Sequence, residues 1–549
     1  MQTTRSAPLP AIPGNPAERS YRPRRAEETI VHQVVRDHLQ EFLEQARERD
    51  RPVPRFIERE MRDFLDCGDP SRGFLFLRCP TCRFGRAVPL ACKTRAVCSS
   101  CGARRMADTA AHLVDSVLPE VPVRQWVLSL PFGLRYRLAY DAPLLSDVIG
   151  IFVRAVFASY RRRARRRTRL HWPQGGAVTF VQRFSDSLRV NVHLHTLLLD
   201  GVYEAHPAHP ARFVSLPPPD TAEVARVARR VARHLARHLE RRGLGADADP
   251  SETDTFAADE PLLAALYSAS VRGRIALGAR AGQQDLRLGD RVDVEDLKAG
   301  EKERCAGAGG VNVHANVCVP ARDRRRLERL CRYAGRPPLA TARLSRLADR
   351  RLAYSLKRRH RDGTTHMVYE PLELLGRLAA LIPPPRAHQL RYHGCLAPAA
   401  GLRARIVPAA PILAPDLPEA CAVSARATAR TPIPRRADGA ARAPMLPVEN
   451  EAASDVRRSP SLRRTNVSAA GGAKSPRRRT YHSWSELLQR VLEIDAQVCA
   501  QCGDRMQILG VVESPDAIRA ILTTLGLPSR APPGPPPVDC DELVPFPTT

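Results

Sequence analysis

Asn191-Val192-His193-Leu194-His195-Thr196-Leu197-Leu198-Leu199-Asp200-Gly201 is the stretch on which the reading of this chain turns. Successive side chains of a β-strand point to opposite faces, so His193 and His195 share one face. Two imidazoles one strand repeat apart can ligate a single metal ion, while Leu194, Leu197 and Leu199 set the strand across a packed sheet. The plain alternative is a strand that happens to carry two histidines, and the rest of the chain weighs against it.

The chain has 549 residues, enough for about three domains at ordinary domain size, and enough apolar content for a large core. Its 86 lysines and arginines against 58 aspartates and glutamates leave a net charge of +28, with a pI near 10.4. Such a surface meets polyanions favourably, and nucleic acid is the leading partner. An anionic membrane competes with it. However, no run of 18 apolar residues stands out, and Met1-Gln2-Thr3-Thr4-Arg5 lacks the apolar centre of a signal peptide. A soluble, cytoplasmic protein is expected, with no membrane and no small-molecule substrate. Of 14 cysteines, six crowd between positions 67 and 101, a clustering that favours metal over disulfides.

Val31, Val34, Val35, His38, Leu39, Phe42 and Leu43 recur at helical steps, and a second helix with Phe56, Met61 and Leu65 leads into the cysteines. Cys79-Pro80-Thr81-Cys82 and Cys98-Ser99-Ser100-Cys101 are two close pairs separated by fifteen residues, matching a four-thiolate zinc ribbon. Cys67 and Cys92 are surplus and could serve a second site or replace one of the four. A zinc-dependent base deaminase needs Pro-Cys-x-x-Cys, yet Arg78, Val97 and Val498 precede the three close pairs. Beyond residue 120 the pattern mixes helices with strands at 123–130, 177–184, 188–199 and 311–319, as an α+β domain does. Arg161, Arg162, Arg163, Arg165, Arg166 and Arg167 form a charge run dense enough to predict phosphate contact. Tyr333 falls in the last turn of a helix stopped by Gly335 and Pro337-Pro338, with Arg329, Arg332 and Arg336 beside it to hold a phosphodiester. Cys499-Ala500-Gln501-Cys502 supplies half of another zinc site, to be completed by Cys540 or His482.

Taken together these motifs resemble the insertion-sequence-91 family of transposases, rolling-circle enzymes of the HUH class, and especially their single-tyrosine branch. The resemblance is carried by residues 79–105, Arg124-Gln125-Trp126-Val127-Leu128-Ser129-Leu130-Pro131, Phe180-Val181-Gln182-Arg183-Phe184, the histidine pair, residues 330–338, residues 381–386 and Arg391-Tyr392-His393-Gly394. Members with two catalytic tyrosines place them four residues apart; here Arg329 stands at the first position, so only Tyr333 carries over.

The resemblance implies that His193 and His195 hold a divalent ion, Mg or Mn, with Gln182 or His314 completing its shell. It further implies that Tyr333 attacks a phosphodiester of single-stranded DNA to leave a 5′-phosphotyrosine. Structural zinc at the cysteine cluster would help grip the element ends. A replication initiator or relaxase uses the same residues without integrating DNA, and a decayed, non-catalytic zinc-dependent DNA-binding protein is the alternative from another class.

The expected plan is α+β. A disordered N-terminus (1–26) and a helical plus zinc-binding domain (27–118) precede an HUH catalytic domain with a central antiparallel sheet (119–345). A helical extension (346–402), a basic flexible linker (403–478), a small C-terminal helical module with the last Cys-x-x-Cys (479–527) and a disordered tail (528–549) follow. Its setting is the cytoplasm, in association with the nucleoid.

Overall fold

Burial on both faces is what the apolar run 194–199 requires, and in the computed structural model that strand lies in the middle of the largest sheet. The described residues are 21, 25–167, 170, 172–206, 209–245, 254–289, 303–408 and 482–529. The expectations for residues 1–20, for most of the linker and the tail, and for Cys540 lie outside them.

Helices α1 (Ile30–Glu48) and α2 (Arg55–Leu65) come first, followed by strands β1 (Phe74–Arg78) and β2 (Gly85–Pro89) and helix α3 (Ser99–Ser116). The Thr29 side chain caps α1 by accepting from the His32 amide. The expected apolar stripe of α1 is buried, except that His38 lies at its edge beside Glu41.

Next come β3 (Val123–Ser129), α4 (Leu134–Tyr140), α5 (Ala142–Arg167), β4 (Pro173–Gln174), β5 (Gly176–Phe184) and β6 (Val190–Leu199). They lead to β7 (Gly201–His206), β8 (His209–Ser215), α6 (Thr221–Arg241), α7 (Thr255–Asp259), α8 (Pro261–Arg272) and β9 (Leu286–Gly289). After β10 (Cys305–Ala308), β11 (Val311–His314) and β12 (Cys318–Val319) comes α9 (Arg324–Ala334), the helix of Tyr333. The expected strand 311–319 is thus broken in two, both parts pairing with β3.

Residues 346–402 differ from the helical extension expected of them. They hold the end of β13 (Leu344–Arg346), then β14 (Leu352–Ser355), β15 (Thr364–Tyr369), α10 (Pro371–Leu381) and β16 (Leu390–Gly394). The β-branched and aromatic residues of Thr364–Tyr369 pair with both β14 and β9, and β16 joins the central sheet beside β5. A short α11 (Arg403–Ile406) follows. The C-terminal segment, α12 (Trp484–Leu492), β17 (Gln507–Val512) and α13 (Pro515–Thr524), is no separate module. It belongs to the same compact unit as the N-terminal residues, and β17 completes a three-stranded sheet in the order β17-β1-β2.

The central antiparallel sheet runs β10-β11-β3-β6-β5-β16, with β12 also on β3. Alternation along β6 divides its side chains between two cores. Val192, Leu194 and Leu198 pack with Phe152 and Val156 of α5 and Val227 and Val231 of α6. Leu197 and Leu199 pack with Leu113 of α3 and Leu327, Leu330 and Cys331 of α9. Helix α5 is long and apolar enough to cross a membrane by length and composition, but it serves as the core helix of this sheet.

Asp200, which ends β6, anchors the register. Arg124 donates to both its oxygens at 2.7–3.1 Å, and the Tyr160 hydroxyl donates to it at 2.7 Å, all buried. Removing one partner of such a pair leaves an uncompensated buried charge. Asp200→Ala is expected to lower the free energy of unfolding by about 3–5 kcal/mol, measured by urea denaturation; a change under about 1 kcal/mol would show that Arg124 finds another partner.

Candidate functional site

Cross-strand register brings the chemistry-bearing residues to one face of the sheet. His195 lies opposite Phe180 of β5 and Val127 of β3, and His193 lies opposite Gln182 and Ser129. The two imidazole rings are 5.0 Å apart, centroid to centroid. Helix α9 covers this face and presents Tyr333, whose ring meets that of His195 edge-on at 5.8 Å.

Hydrogen bonds bear on how these rings are poised. His193 Nδ1 donates to the Asn191 carbonyl at 2.9 Å, which leaves its Nε2 with a lone pair. The Gln125 carboxamide nitrogen lies 2.6 Å from His195 Nδ1, and among the described residues the buried His195 Nε2 has no hydrogen-bond partner. Gln182 donates through Nε2 to the carbonyls of Tyr333 (3.2 Å) and Ala334 (2.7 Å), tying β5 to the end of α9, while among the described residues its buried Oε1 has no partner. His193 Nε2, His195 Nε2 and Gln182 Oε1 make a donor set of the kind that fits a divalent ion. His314 is on the same face but two strands from His195, about 10 Å at ordinary strand spacing. Gln182 is one strand from His193.

Burial pushes the His193 pKa down to about 4, and the positive charges of Arg336 and Arg135 add to this against the opposing Asn191 bond. Burial likewise holds His195 well below its ordinary value, helped by His193 and Arg336. Both rings are therefore neutral near pH 7, the form that binds metal.

Cations surround the phenol. The Arg336 guanidinium lies 4.5 Å and the Lys357 ammonium 4.7 Å from the centre of the Tyr333 ring, and Tyr333 itself is 41% exposed. Arg336 also lies over Phe184 and donates to the Tyr333 carbonyl. Arg332 is half-buried on the preceding position of α9. Beside Tyr333 an opening between α3, β5 and residues 334–338 is lined by Arg95, Arg105, Arg183 and Arg336. The guanidinium groups of Arg95, Arg105 and Arg183 donate to main-chain carbonyls, neutral acceptors that do not cancel a guanidinium charge. The zinc-region helix approaches this opening closely: a Cβ on Gly102 would stand 2.7 Å from Pro337.

Lys357, Arg135 and the exposed Phe132 were not singled out by sequence reasoning, and Gln125 was named only as part of a motif. Arg135 and Phe132 follow β3 directly, and the Trp126-Val127-Leu128-Ser129-Leu130-Pro131 motif was the signal that could have led to them. The basic run 161–167 is not brought to this site. It ends α5, on the opposite face of the sheet, where Arg162 pairs with Glu223 and Arg163 donates to the Pro217 carbonyl; Arg161, Arg165, Arg166 and Arg167 are exposed.

The cysteines assemble differently from the expected ribbon. Cys79 and Cys82 do not meet Cys98 and Cys101. Instead Cys67, Cys92, Cys98 and Cys101 form one group, with sulfur separations of 3.5–3.8 Å, and Cys79, Cys82, Cys499 and Cys502 form another. The two surplus cysteines thus complete the first group, because the turn after α2 and the end of β2 converge on the N-terminus of α3. His482 lies beside Asp115 and is not part of the second group, and Cys540 is outside the described residues.

Residues 34–130 match a family model described as "Transposase zinc-binding domain", and residues 176–403 match one described as "Putative transposase". The first covers all four cysteines of the first group, which supports structural zinc there; the second contains the histidine pair, Gln182, Tyr333 and Lys357. No curated protein and no solved structure gives a match.

Histidines held neutral in the folded state take up protons more readily once unfolded. His193 and His393, the latter also pushed to about 4 by burial, therefore withdraw stability as pH falls from about 6.5 toward 4. Urea denaturation without added divalent ions should show this decline, with a shallower slope for His193→Gln; identical slopes would mean that His193 is not sheltered.

Proposed function

Because the chain belongs to the insertion-sequence-91 family of transposases, we propose that it cuts and rejoins single-stranded DNA through a 5′-phosphotyrosine at Tyr333, the rolling-circle chemistry of the HUH class. The observation that carries this reading is the packing of the exposed Tyr333 ring against His195 with Arg336 and Lys357 beside it.

A phenol is mostly protonated at neutral pH, and nearby positive charge favours its phenolate. Tyr333 Oη attacks the phosphorus, a new phosphotyrosyl ester forms, and the bond from phosphorus to the 3′-oxygen breaks. The phenolic proton passes to water, and the departing oxygen takes one up to become a free 3′-hydroxyl. Arg336, Lys357 and Arg135 supply the field that stabilises charge on the phosphoryl oxygens during attack. Rejoining reverses the step: a 3′-hydroxyl attacks the phosphotyrosine and Tyr333 departs, so no nucleoside triphosphate is consumed. Arg329 occupies the place of a second tyrosine, which leaves Tyr333 as the single nucleophile of the motif.

His193 and His195 through Nε2, with Gln182 through Oε1, would hold Mg or Mn. Such an ion polarises the scissile phosphate. Gln182 is favoured over His314 because it is one strand closer and already fixes the end of α9.

Single-stranded DNA suits this face. Its backbone can follow Arg95, Arg105 and Arg183, and a base can stack on the exposed Phe132. The zinc-binding region flanks the same opening, consistent with a hold on element ends, and the arginines ending α5 offer a second phosphate-binding surface on the far side. The chemistry belongs with the nucleoid in the cytoplasm.

Purified protein incubated with end-labelled single-stranded DNA and Mn or Mg should give a covalent protein–DNA band on denaturing electrophoresis. The band should disappear in Tyr333→Phe and on chelation, while DNA binding persists. Tight binding with no band on strands bearing genuine element ends would instead mark a non-catalytic DNA-binding protein.

A further inference from the structure

The two Cys-x-x-Cys loops of the second cysteine group are more than 400 residues apart, yet they adopt one and the same turn. In the first, the Cys79 amide donates to the Phe84 carbonyl (2.9 Å) and the Arg83 amide to the Cys79 carbonyl (3.0 Å). In the second, the Cys499 amide donates to the Asp504 carbonyl (2.8 Å) and the Gly503 amide to the Cys499 carbonyl (3.0 Å). The residue after each second cysteine is left-handed, with φ of 63° at Arg83 and 81° at Gly503. Main-chain amides favour the thiolates in matching order: those of Thr81 and Cys82 at Cys79, that of Phe84 at Cys82, those of Gln501 and Cys502 at Cys499, and that of Asp504 at Cys502. Amide donors aimed at sulfur stabilise thiolate, the form that binds metal.

All four sulfur atoms lie within 4.8 Å of one another, with Cys79 to Cys502 at 3.4 Å and Cys82 to Cys499 at 3.5 Å. A disulfide would need about 2.05 Å. A tetrahedral zinc tetrathiolate, with Zn–S near 2.3 Å, has sulfur–sulfur edges of about 3.8 Å. The surrounding core is small, with Leu77, Cys79, Cys499 and Met506 as its buried members, and a small core needs a staple.

We propose that Cys79, Cys82, Cys499 and Cys502 bind a second zinc ion, and that this ion fastens the C-terminal segment across the N-terminal domain so as to brace the helix of Tyr333. From the fastening point β17 pairs along β1 from Gln507 opposite Arg78 to Val512 opposite Phe74. The buried Arg86 donates to the carbonyls of Ala496 and Val498, joining β2 to the same segment. Upstream, α12 sets Leu487 against Ala107 and Ala111 of α3. Its Arg490 donates to Asp115 of α3 at 2.9 Å and to Glu328 of α9 at 2.8 Å. One side chain from the C-terminal segment thus links the zinc-region helix to the helix of Tyr333, five residues before the tyrosine.

The test uses the full-length chain and is independent of DNA cleavage. Elemental analysis of the purified protein should find two zinc ions per chain, falling to one in the Cys499→Ser/Cys502→Ser variant. Hydrogen exchange should then show β17 losing protection and α9 exchanging faster, while β3 and β6 stay protected. One zinc ion in the unaltered protein, with Cys499 and Cys502 open to alkylation under native conditions, would overturn the site. Two zinc ions with β17 and α9 protection unchanged in the variant would overturn the bracing.

Discussion

Everything at the site depends on the two-residue repeat of a strand paired on both sides. Because β6 lies between β3 and β5, a slip of one residue would send His193 and His195 into the α5 core and Leu194 into the site. Burying either histidine among Phe152, Val156 and Val227 would desolvate polar nitrogens with no compensating bond, at a cost of about 1–3 kcal/mol each. The apolar residues that alternate with the histidines therefore fix where the histidines go. Asp200 adds a polar lock at the strand end, since only one register brings it to Arg124 and Tyr160 together.

Charge is distributed by a different logic on the two faces. Behind the sheet, arginines meet carboxylates: Arg124 with Asp200, Arg162 and Arg226 with Glu223, and deeper in the molecule Arg189 and Arg377 with Asp285. On the histidine face, Arg95, Arg105, Arg183 and Arg336 donate to carbonyl oxygens, which neutralise nothing. A net charge of +28 is thus less informative than where it is left uncompensated. The same uncompensated charge, at Arg336 and Arg135, helps keep His193 neutral, so one feature serves both an anionic ligand and the metal-binding form of the ring.

Local periodicity was legible in the sequence. The strands expected at 177–184 and 188–199 are β5 and β6, the stripe through Val31 and Phe42 is the buried face of α1, and Tyr333 ends a helix stopped before Pro337. What could not be read was pairing between distant segments. A Cys-x-x-Cys pair is half a tetrahedron and carries no mark of its other half, so the nearest pair in sequence was the natural partner for Cys79 and Cys82. The structure joins them instead to a pair more than 400 residues away. Residues 346–402 misled for a related reason: the helical pattern of α10 is strong by itself, whereas β14, β15 and β16 are short strands whose identity lies in their neighbours. Lys357, just past the end of β14, reaches Tyr333 only through that tertiary pairing.

Joining the two ends of the chain carries an entropic cost that grows only slowly with loop length, by about 0.6 kcal/mol for each doubling. A separation of more than 400 residues is therefore little harder to close than one of 200, provided the closed ends offer something specific. Two short strands and a core of a few side chains are weak on their own. A metal site is strong in proportion to its completeness, because each half alone leaves two coordination positions to water. Dividing four thiolates between the chain ends makes their association nearly all or none, and it makes Arg490 arrive at Glu328 only when that association has formed. The position of the Tyr333 helix is thereby tied to whether the last part of the chain is in place, a dependence that neither end of the molecule could create by itself.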